Sequence, residues 1–397
     1  MNLPDLVQSI TKGTLFADIV RGTIPAAALM GPTLTAIELL ELDFDTSRLS
    51  NSPFREIMTR QQVGDCKRLF HGLDHATGQH YVDIVMLGAD ARDILAQVKR
   101  HYKTAFRDGV LEGIASAAQQ DSTLEVTPEQ IYAKIPFIAE PFMAAISGAR
   151  IANSGYLGRL TQGVDTVFDA LDYLSEDTTL SGIVEARVPS LFGAYNLEKH
   201  VAALGDVKEL LLFTHDRIFD QLRRRGVRSV IAETQENSHD ALAIAQVAQD
   251  YEMELLLSLN VVQPNLTASR EKATDIFKAV LDKYGNTVRA LGINCSPYTT
   301  VKETLGIILK EEPNLMRLMI GTWINGGECS SATQGMENIP QFSRDLVSTF
   351  MEKYDDLRSI APAQLGRLGS CCCATGPKYF REIVKDMVKR HILDNRD

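Results

Sequence analysis

Short apolar runs alternate along the chain with longer amphipathic stretches, and this alternation predicts a repeated order of strand and helix. Apolar runs bounded by Gly or charged residues are typical of buried strands, whereas apolar residues about three to four positions apart indicate helices. On this pattern we predict eight strands, at about 14–18, 81–86, 183–190, 228–233, 255–262, 288–294, 315–324 and 364–370. Helical stretches separate these strands, as at 94–118, 238–251 and 274–284.

The repeated strand–helix order predicts an α/β fold with a parallel sheet. Eight such units favour a closed (β/α)8 TIM barrel over an open doubly wound sheet. No G-x-G-x-x-G sequence opens a helix, which counts against a dinucleotide-binding fold. The segment between the second and third predicted strands is unusually long, so we predict an elaborated helical insertion at about 119–182. We expect residues 1–397 to form a single domain.

Composition and charge narrow the range of partners. The chain is 45% hydrophobic and 23% charged, which is ordinary for a soluble globular protein. The formal net charge of −10 argues against nucleic-acid binding, which needs clustered Lys and Arg. No apolar stretch reaches the roughly 18 residues of a membrane span, and no signal peptide is indicated at the N-terminus. We therefore expect a cytoplasmic protein whose partners are small molecules, not nucleic acid or membrane.

The cysteines indicate a metal or redox centre. Three of the six cysteines are consecutive, at 371–373, which is a poor disulfide framework. Neighbouring side chains of a strand point to opposite faces, so the three thiols cannot all face one way. Two neighbours at a strand end could still bind one ion. Thiolates bind zinc tightly, and a zinc site that keeps one position open can be catalytic.

Chemically active side chains follow several predicted strands. In barrels of this class the active site lies at the carboxyl ends of the strands. The side chains that we expect at this edge, beside the cysteine triplet, are Asp18, Ser190, Glu233, Cys295 and Asn325.

Two cysteine motifs resemble those of the homocysteine S-methyltransferase family. The sequence Gly-Ile-Asn-Cys-Ser that contains Cys295 resembles the family's Gly-x-Asn-Cys strand end. The sequence from Ser370 to Pro377 resembles its Gly-Gly-Cys-Cys-Gly-Thr-x-Pro motif. Registering the second motif on Thr375 and Pro377 aligns the family's paired cysteines with Cys372 and Cys373. Cys371 then stands where the family has glycine.

The resemblance extends over most of the chain and is strongest from about residue 183 onward. Glu233-Thr234 is similar to the family's Glu-Thr strand end, and Ser190 begins a form of its Ser-x-Gly-Pro-Tyr-Gly loop. Asn325 lies in a segment similar to Pro-Asn-x-Gly, and Asp18 begins a form of Asp-Gly-x-x-Gly-Thr.

The resemblance implies a zinc-dependent methyltransferase. Zinc would be held by Cys295, Cys372 and Cys373 and would bind the thiolate of homocysteine, which attacks an activated methyl group to give methionine. The resemblance also implies substrate-binding roles for Asp18, Glu233, Ser190 and Asn325.

The sequence favours a sulfonium such as S-methylmethionine as the methyl donor. Thr234 stands where the betaine-using branch has an aromatic residue, and one Trp in the whole chain is few for a quaternary-ammonium cage. Two alternatives stay open: a zinc barrel acting on another thiol or selenol, and a non-catalytic zinc or thiol-redox protein. Ile19 follows Asp18 where the family has glycine, which favours an altered substrate site. The sequence does not indicate the oligomeric state.

Overall fold

A computed structural model of the chain describes residues 3–30, 89–139, 142–143, 180–192, 207–326, 346–372 and 375–394. The predicted strand at 81–86 lies outside the described residues, as does Cys373.

The strands of these residues form two parallel sheets. They are β1 (Ala27–Leu29), β2 (Phe137–Ala139), β3 (Phe142–Met143), β4 (Glu185–Arg187), β5 (Ser190–Phe192), β6 (Ser229–Gln235), β7 (Glu254–Leu259), β8 (Val288–Asn294), β9 (Met319–Trp323) and β10 (Leu368–Gly369). One sheet has the order β10-β1-β2-β4 and the other β3-β5-β6-β7-β8-β9. Every described pairing between strands is parallel, which confirms the predicted α/β class.

One chain segment joins the two sheets. Between β4 and β5, the Val188 N–H donates to the Ala139 carbonyl (3.1 Å), and the Pro189 carbonyl accepts from the Ile231 N–H (2.9 Å). At the far side β9 contacts β10, and a Cβ on Gly321 would lie 2.8 Å from the Leu368 carbonyl oxygen. The carboxyl ends of the strands therefore lie along one common edge.

The helices are α1 (Leu3–Lys12), α2 (Leu15–Arg21), α3 (Ala89–Gln120), α4 (Pro128–Tyr132), α5 (Val207–Arg224), α6 (Ser238–Asp250), α7 (Ala273–Tyr284), α8 (Tyr298–Glu311), α9 (Pro313–Met316), α10 (Val347–Ile360) and α11 (Pro377–Asp394). Helix α3 confirms the helix predicted at 94–118, and α6 and α7 confirm those at 238–251 and 274–284. Among the described residues, no helix is long and apolar enough to cross a membrane.

The prediction of a first strand at 14–18 is wrong, because residues 15–18 belong to helix α2 and Thr14 is its N-cap residue. The Glu254 carboxylate accepts from the N–H groups of Phe16 (2.9 Å) and Ala17 (2.6 Å), which satisfies the first turn of the helix. Gly22, at φ 76°, ends it. The first strand is β1, which pairs with β10 and β2.

The predicted helical insertion at 119–182 is wrong for part of its length. Strands β2 and β3 lie inside this range and belong to the sheets, where β2 pairs with β1 and β4, and β3 pairs with β5. Helix α4, which begins with a capping box at Thr127, precedes them. Residues 144–179 lie outside the described residues.

The buried apolar residues form two clusters on opposite faces of the strands. The helix-side cluster packs the strands against α3, α5, α6, α7, α8, α10 and α11, and it contains Val230, Ala232, Leu257 and Cys371. The inner cluster packs the other face of the strands against α1 and α2. Its fully or nearly fully buried members are Leu6, Leu15, Phe16, Ile19, Ile24, Ala27, Leu29, Ile138, Ala186, Val188, Ile231, Leu256, Ala290, Cys295, Ile320, Trp323, Leu368 and Cys372.

Candidate functional site

Cys295 lies directly after β8, fully buried in the inner cluster. Its φ of 53° is in the left-handed region, which costs a non-glycine residue roughly 1–3 kcal/mol. Hydrogen bonds hold this conformation on both sides. The Cys295 N–H donates to the Trp323 carbonyl (3.1 Å), and its own carbonyl accepts from Asn260 Nδ2 (2.6 Å). The surrounding structure therefore imposes the direction in which this thiol points.

Asn294, the residue before Cys295, ties together the carboxyl ends of three strands. Its Oδ1 accepts from the Thr234 N–H (2.9 Å) and from Ser258 Oγ (2.7 Å), and its Nδ2 donates to Thr234 Oγ1 (2.8 Å). Thr234 also has a left-handed φ of 53°. All three residues are fully buried. The two strained residues at this edge, Thr234 and Cys295, are thus linked through one amide side chain.

Ser296 extends the same network to Val261, in the segment that follows β7. Its Oγ donates to the Asn294 carbonyl (2.8 Å) and accepts from the Val261 N–H (2.9 Å). The Asn325 N–H donates to the Ser296 carbonyl (3.4 Å), so the predicted site residue Asn325 lies beside this network.

The cysteine triplet divides between the two faces of the strands. Cys371 belongs to the helix-side cluster and Cys372 to the inner cluster, and both are buried. The carbonyl of Cys372 accepts from the N–H (3.1 Å) and the hydroxyl of Thr375, which turns the chain after β10. The expectation that neighbouring thiols point to opposite faces is confirmed for this pair.

Cys295 and Cys372 both belong to the inner cluster, and they follow the carboxyl ends of β8 and β10 respectively. The third predicted ligand, Cys373, lies outside the described residues. Within the described ranges, no three His, Cys, Asp or Glu side chains are grouped closely enough to hold a metal ion.

Glu233 lies near the end of β6 and is fully buried. The indole N–H of Trp323, at the end of β9, donates to Glu233 Oε1. Trp323 is not among the predicted site residues, because no sequence motif marks it. The partners are 90 residues apart in the sequence and meet only through the fold.

Ser190 begins β5 and is fully buried. It pairs in register with Ile231, a member of the inner cluster, and therefore faces the same side of the sheet. Among the described residues, its Oγ has no hydrogen-bond partner. A buried hydroxyl without a partner is costly, so this atom is suited to receive a polar ligand group.

Asp18 lies at the opposite end of the strands from Cys295. Helix α2 is held by Glu254, the first residue of β7, so α2 covers the amino-terminal ends of the strands. Burial raises the pKa of Asp18, but hydrogen bonds from Ser9, Thr14 and Arg21 outweigh it and lower the pKa overall. The structure therefore does not bring Asp18 together with the other predicted site residues.

A second buried carboxyl follows β6 at the site edge. Glu236 is 6% exposed, and burial together with the neighbouring charge of Asp240 raises its pKa well above the usual value. Asp240 lies 2.8 Å from Nε2 of the buried His215. Neither Glu236 nor Asp240 is among the predicted site residues, and together with Glu233 they make the carboxyl end of β6 rich in acidic side chains.

The sequence matches the family model described as homocysteine S-methyltransferase over residues 189–387, which is half of the chain. This range contains Glu233, Cys295, Cys372 and Cys373. A search of curated proteins gave no match.

Solved structures of one bacterial protein resemble the chain. The oxidised form of the homocysteine methyltransferase MmuM from Escherichia coli is 15% identical, with a TM-score of 0.51, over 92% of this chain and 98% of that one. The metallated form is 18% identical, with a TM-score of 0.42, over 62% of this chain and 78% of that one. At 15% identity the oxidised form shows a shared fold.

Proposed function

The chain belongs to the homocysteine S-methyltransferase family, and we propose that it transfers a methyl group from a cationic donor to the thiol of homocysteine, giving methionine, with zinc as its metal. The observation that carries this proposal is that Cys295 and Cys372 both belong to the buried inner cluster and both follow the carboxyl ends of their strands, β8 and β10. A methyltransferase acting on a thiol needs a place where that thiol loses its proton, and a pair of thiol ligands supports a metal there.

The thiols present fit zinc. We propose Cys295, Cys372 and Cys373 as the ligands, since thiolates bind zinc tightly and three of them leave a fourth position open. When bound, zinc would lower the pKa of a substrate thiol and so raise the fraction of reactive thiolate at neutral pH. The left-handed backbone of Cys295, fixed from both sides, supports this role because it holds one ligand in place before binding.

We propose that the two sheets close into a single (β/α)8 barrel. Segment 185–192 already joins them, and β9 lies against β10 at the other side. With β2 and β3 taken as one position and β4 and β5 as another, the ten described strands give eight positions. Closure would enclose the inner cluster and leave one entrance, at the site edge.

Glu233, Ser190 and Asn325 are the proposed substrate-binding residues. The carboxylate of Glu233 is the natural partner for the ammonium group of an amino-acid thiol, and the buried hydroxyl of Ser190 can bond a second polar group. Fixing the substrate at two points would orient its sulfur for in-line transfer. Asp18 is left out of this set because it lies with α2 at the other end of the strands.

A sulfonium such as S-methylmethionine is the proposed donor. In the transfer, the bond between the methyl carbon and the donor sulfur breaks, and its electron pair stays on that sulfur. The acceptor thiolate supplies the electron pair of the new bond, so a positive donor and a negative acceptor become two neutral thioethers. Thr234, where the betaine-using branch has an aromatic residue, supports a sulfonium over a quaternary-ammonium donor.

The test is a methyl-transfer assay of the zinc-loaded protein with homocysteine and three donors: S-methylmethionine, S-adenosylmethionine and betaine. We expect methionine from a sulfonium donor and none from betaine. A Cys295→Ser variant is the matched control and should lose both zinc and activity. If no donor yields methionine, the proposed function is wrong.

A further inference from the structure

The side chain of Trp323, on β9, reaches Glu233, on β6, across the inner face of the strands. Trp323 is the only tryptophan of the chain and is fully buried in the inner cluster, together with Cys295 and Cys372. Its indole N–H donates to Glu233 Oε1. Strands β7 and β8 lie between the strands of these two residues, so the side chain reaches across the inner face to meet the carboxylate.

Gly292 on β8 makes room for the indole ring. A Cβ built on Gly292 would lie 2.8 Å from two ring carbons of Trp323 and 3.2 Å from Ser258 Oγ. Real Cβ atoms do not approach rigid ring atoms so closely, so any other residue at 292 would displace the ring. Gly292 on β8 therefore helps to fix the position of the indole that β9 carries.

The bond from Trp323 fixes the orientation of the Glu233 carboxyl group. A buried carboxylate needs donors, and Arg or Lys would supply them together with a positive charge. An indole N–H supplies one donor and no charge. A carboxylate has about four acceptor positions, and the bond from Trp323 uses one of them.

We propose that Trp323 is a positioning residue that makes the acceptor site selective for thiols carrying an amino group. It holds Glu233 in the orientation that receives the ammonium group, while Gly292 keeps the ring in place. This inference rests on the proposed function, since it assigns the specificity of the same site.

The first test compares homocysteine with 4-mercaptobutanoate, which has the same chain and thiol but lacks the amino group. Trp323→Phe should raise KM for homocysteine at least about tenfold, as expected for a lost bond to a buried charged group, and change kcat less than about threefold. Its KM for 4-mercaptobutanoate should stay within about twofold of the wild type. Zinc content should not change.

Glu233→Gln and the double variant test whether Trp323 acts through Glu233. Glu233→Gln should lose the preference for homocysteine, and adding Trp323→Phe should raise KM no further, because both changes remove one interaction. Phe350→Leu is the control for lost aromatic packing. Phe350 is fully buried in the helix-side cluster, and this variant should lower Tm without altering the KM ratio of the two thiols.

Fluorescence gives a readout that does not need turnover, since Trp323 is the sole source of tryptophan emission. Homocysteine titrated into the wild type without donor should change the emission, and 4-mercaptobutanoate should change it only at about tenfold higher concentration. If Trp323→Phe does not fold, Gly292→Ala, which moves the ring but keeps the N–H, should show the same loss of selectivity.

The inference is overturned if Trp323→Phe, or Gly292→Ala in its place, retains the wild-type preference for homocysteine while methionine still forms. That result would leave the proposed function intact. Conversely, failure of every methyl donor combined with a selective fluorescence response would overturn the function and keep the positioning role.

Discussion

The inner and helix-side clusters use the same strands but differ in what they bury with the apolar side chains. Along β6, Val230 and Ala232 belong to the helix-side cluster, and Ile231 between them belongs to the inner cluster. The helix-side cluster consists of apolar side chains packed between the strands and the surrounding helices. The inner cluster ends at one edge in thiols and a buried amide network, and at the other in helix α2 and the Glu254 carboxylate. Because side chains alternate between the two faces of a strand, one strand can place candidate site residues on the inner face and residues that pack against helices on the other.

Cys371 and Cys372 are neighbours in the sequence but belong to different clusters, so variants of the two compare the clusters directly. The strongest effect is expected at Cys372. Cys372→Ala should lower zinc content and methyl transfer at least about 100-fold, because it removes a proposed ligand from the inner cluster. Cys371→Ala removes the same atom from the helix-side cluster and should cost only about 1 kcal/mol of unfolding free energy. Metal analysis and steady-state kinetics check both variants. Loss of zinc in Cys371→Ala would break the assignment of the two faces.

Long periodic segments were predicted well, and short ones were not. Strands β6, β7 and β8 and helices α3, α6 and α7 follow the pattern of the sequence, and Glu233 and Cys295 were placed correctly at strand ends. Strands β1, β2 and β3 have two or three residues each, too few to show a period. Their identity comes from the strands they pair with.

Helix α2 and Trp323 show why the remainder could not be predicted. The first turn of α2 is satisfied by Glu254, which lies 238 residues further along the chain. Without that carboxyl group, Leu15 to Ala17 is an apolar run, ended by Asp18, that fits a strand equally well. The contact between Trp323 and Glu233 likewise depends on Gly292, which leaves space for the ring. Contacts of this kind join residues far apart in the sequence and leave no local pattern.

The second largest effect should come from Asn294, which carries the polar edge of the inner cluster. Asn294→Ala removes three buried hydrogen bonds to Thr234 and Ser258 and releases a strained turn, so we expect a loss of roughly 3 kcal/mol in unfolding free energy. Asn237→Ala is the matched control on the helix side. It removes one cap bond to the Asp240 N–H (2.8 Å) and should cost about 1 kcal/mol. Equal losses in urea titrations would contradict the special role of the network.

The other end of the inner cluster should respond to pH through Glu254. Burial raises the pKa of Glu254 to about 7, although the N–H groups of Phe16 and Ala17 and the hydroxyl of Ser229 bond its oxygens and oppose the rise. The folded protein therefore keeps a proton that the unfolded chain, with a pKa near 4.5, has lost. Stability must then fall as pH rises from about 4.5 to 7, by up to roughly 3 kcal/mol.

Glu254→Gln removes this titration, so the unfolding free energy of the wild type minus that of the variant should decrease over the same pH range. Glu312→Gln changes a carboxyl that bonds Lys278 (2.6 Å) at the surface, and it should alter stability by less than about 1 kcal/mol. A difference between wild type and Glu254→Gln that does not depend on pH would contradict the buried protonated state.

Two glycine variants with small expected effects test whether the helix-side cluster is closely packed. Helices α3 and α11 cross at Gly113, where a Cβ would lie 2.7 Å from the Lys385 carbonyl oxygen and from Val388 Cβ. Gly113→Ala must push the helices apart and should destabilise the protein by about 1–3 kcal/mol. Gly306 lies on the exposed side of α8 with no atom within 4 Å of such a Cβ. Gly306→Ala should therefore stabilise by about 0.5–1 kcal/mol, because Ala favours the helix. Thermal unfolding of the two variants should shift Tm in opposite directions, and a shared sign would show that packing at Gly113 is looser than its contacts indicate.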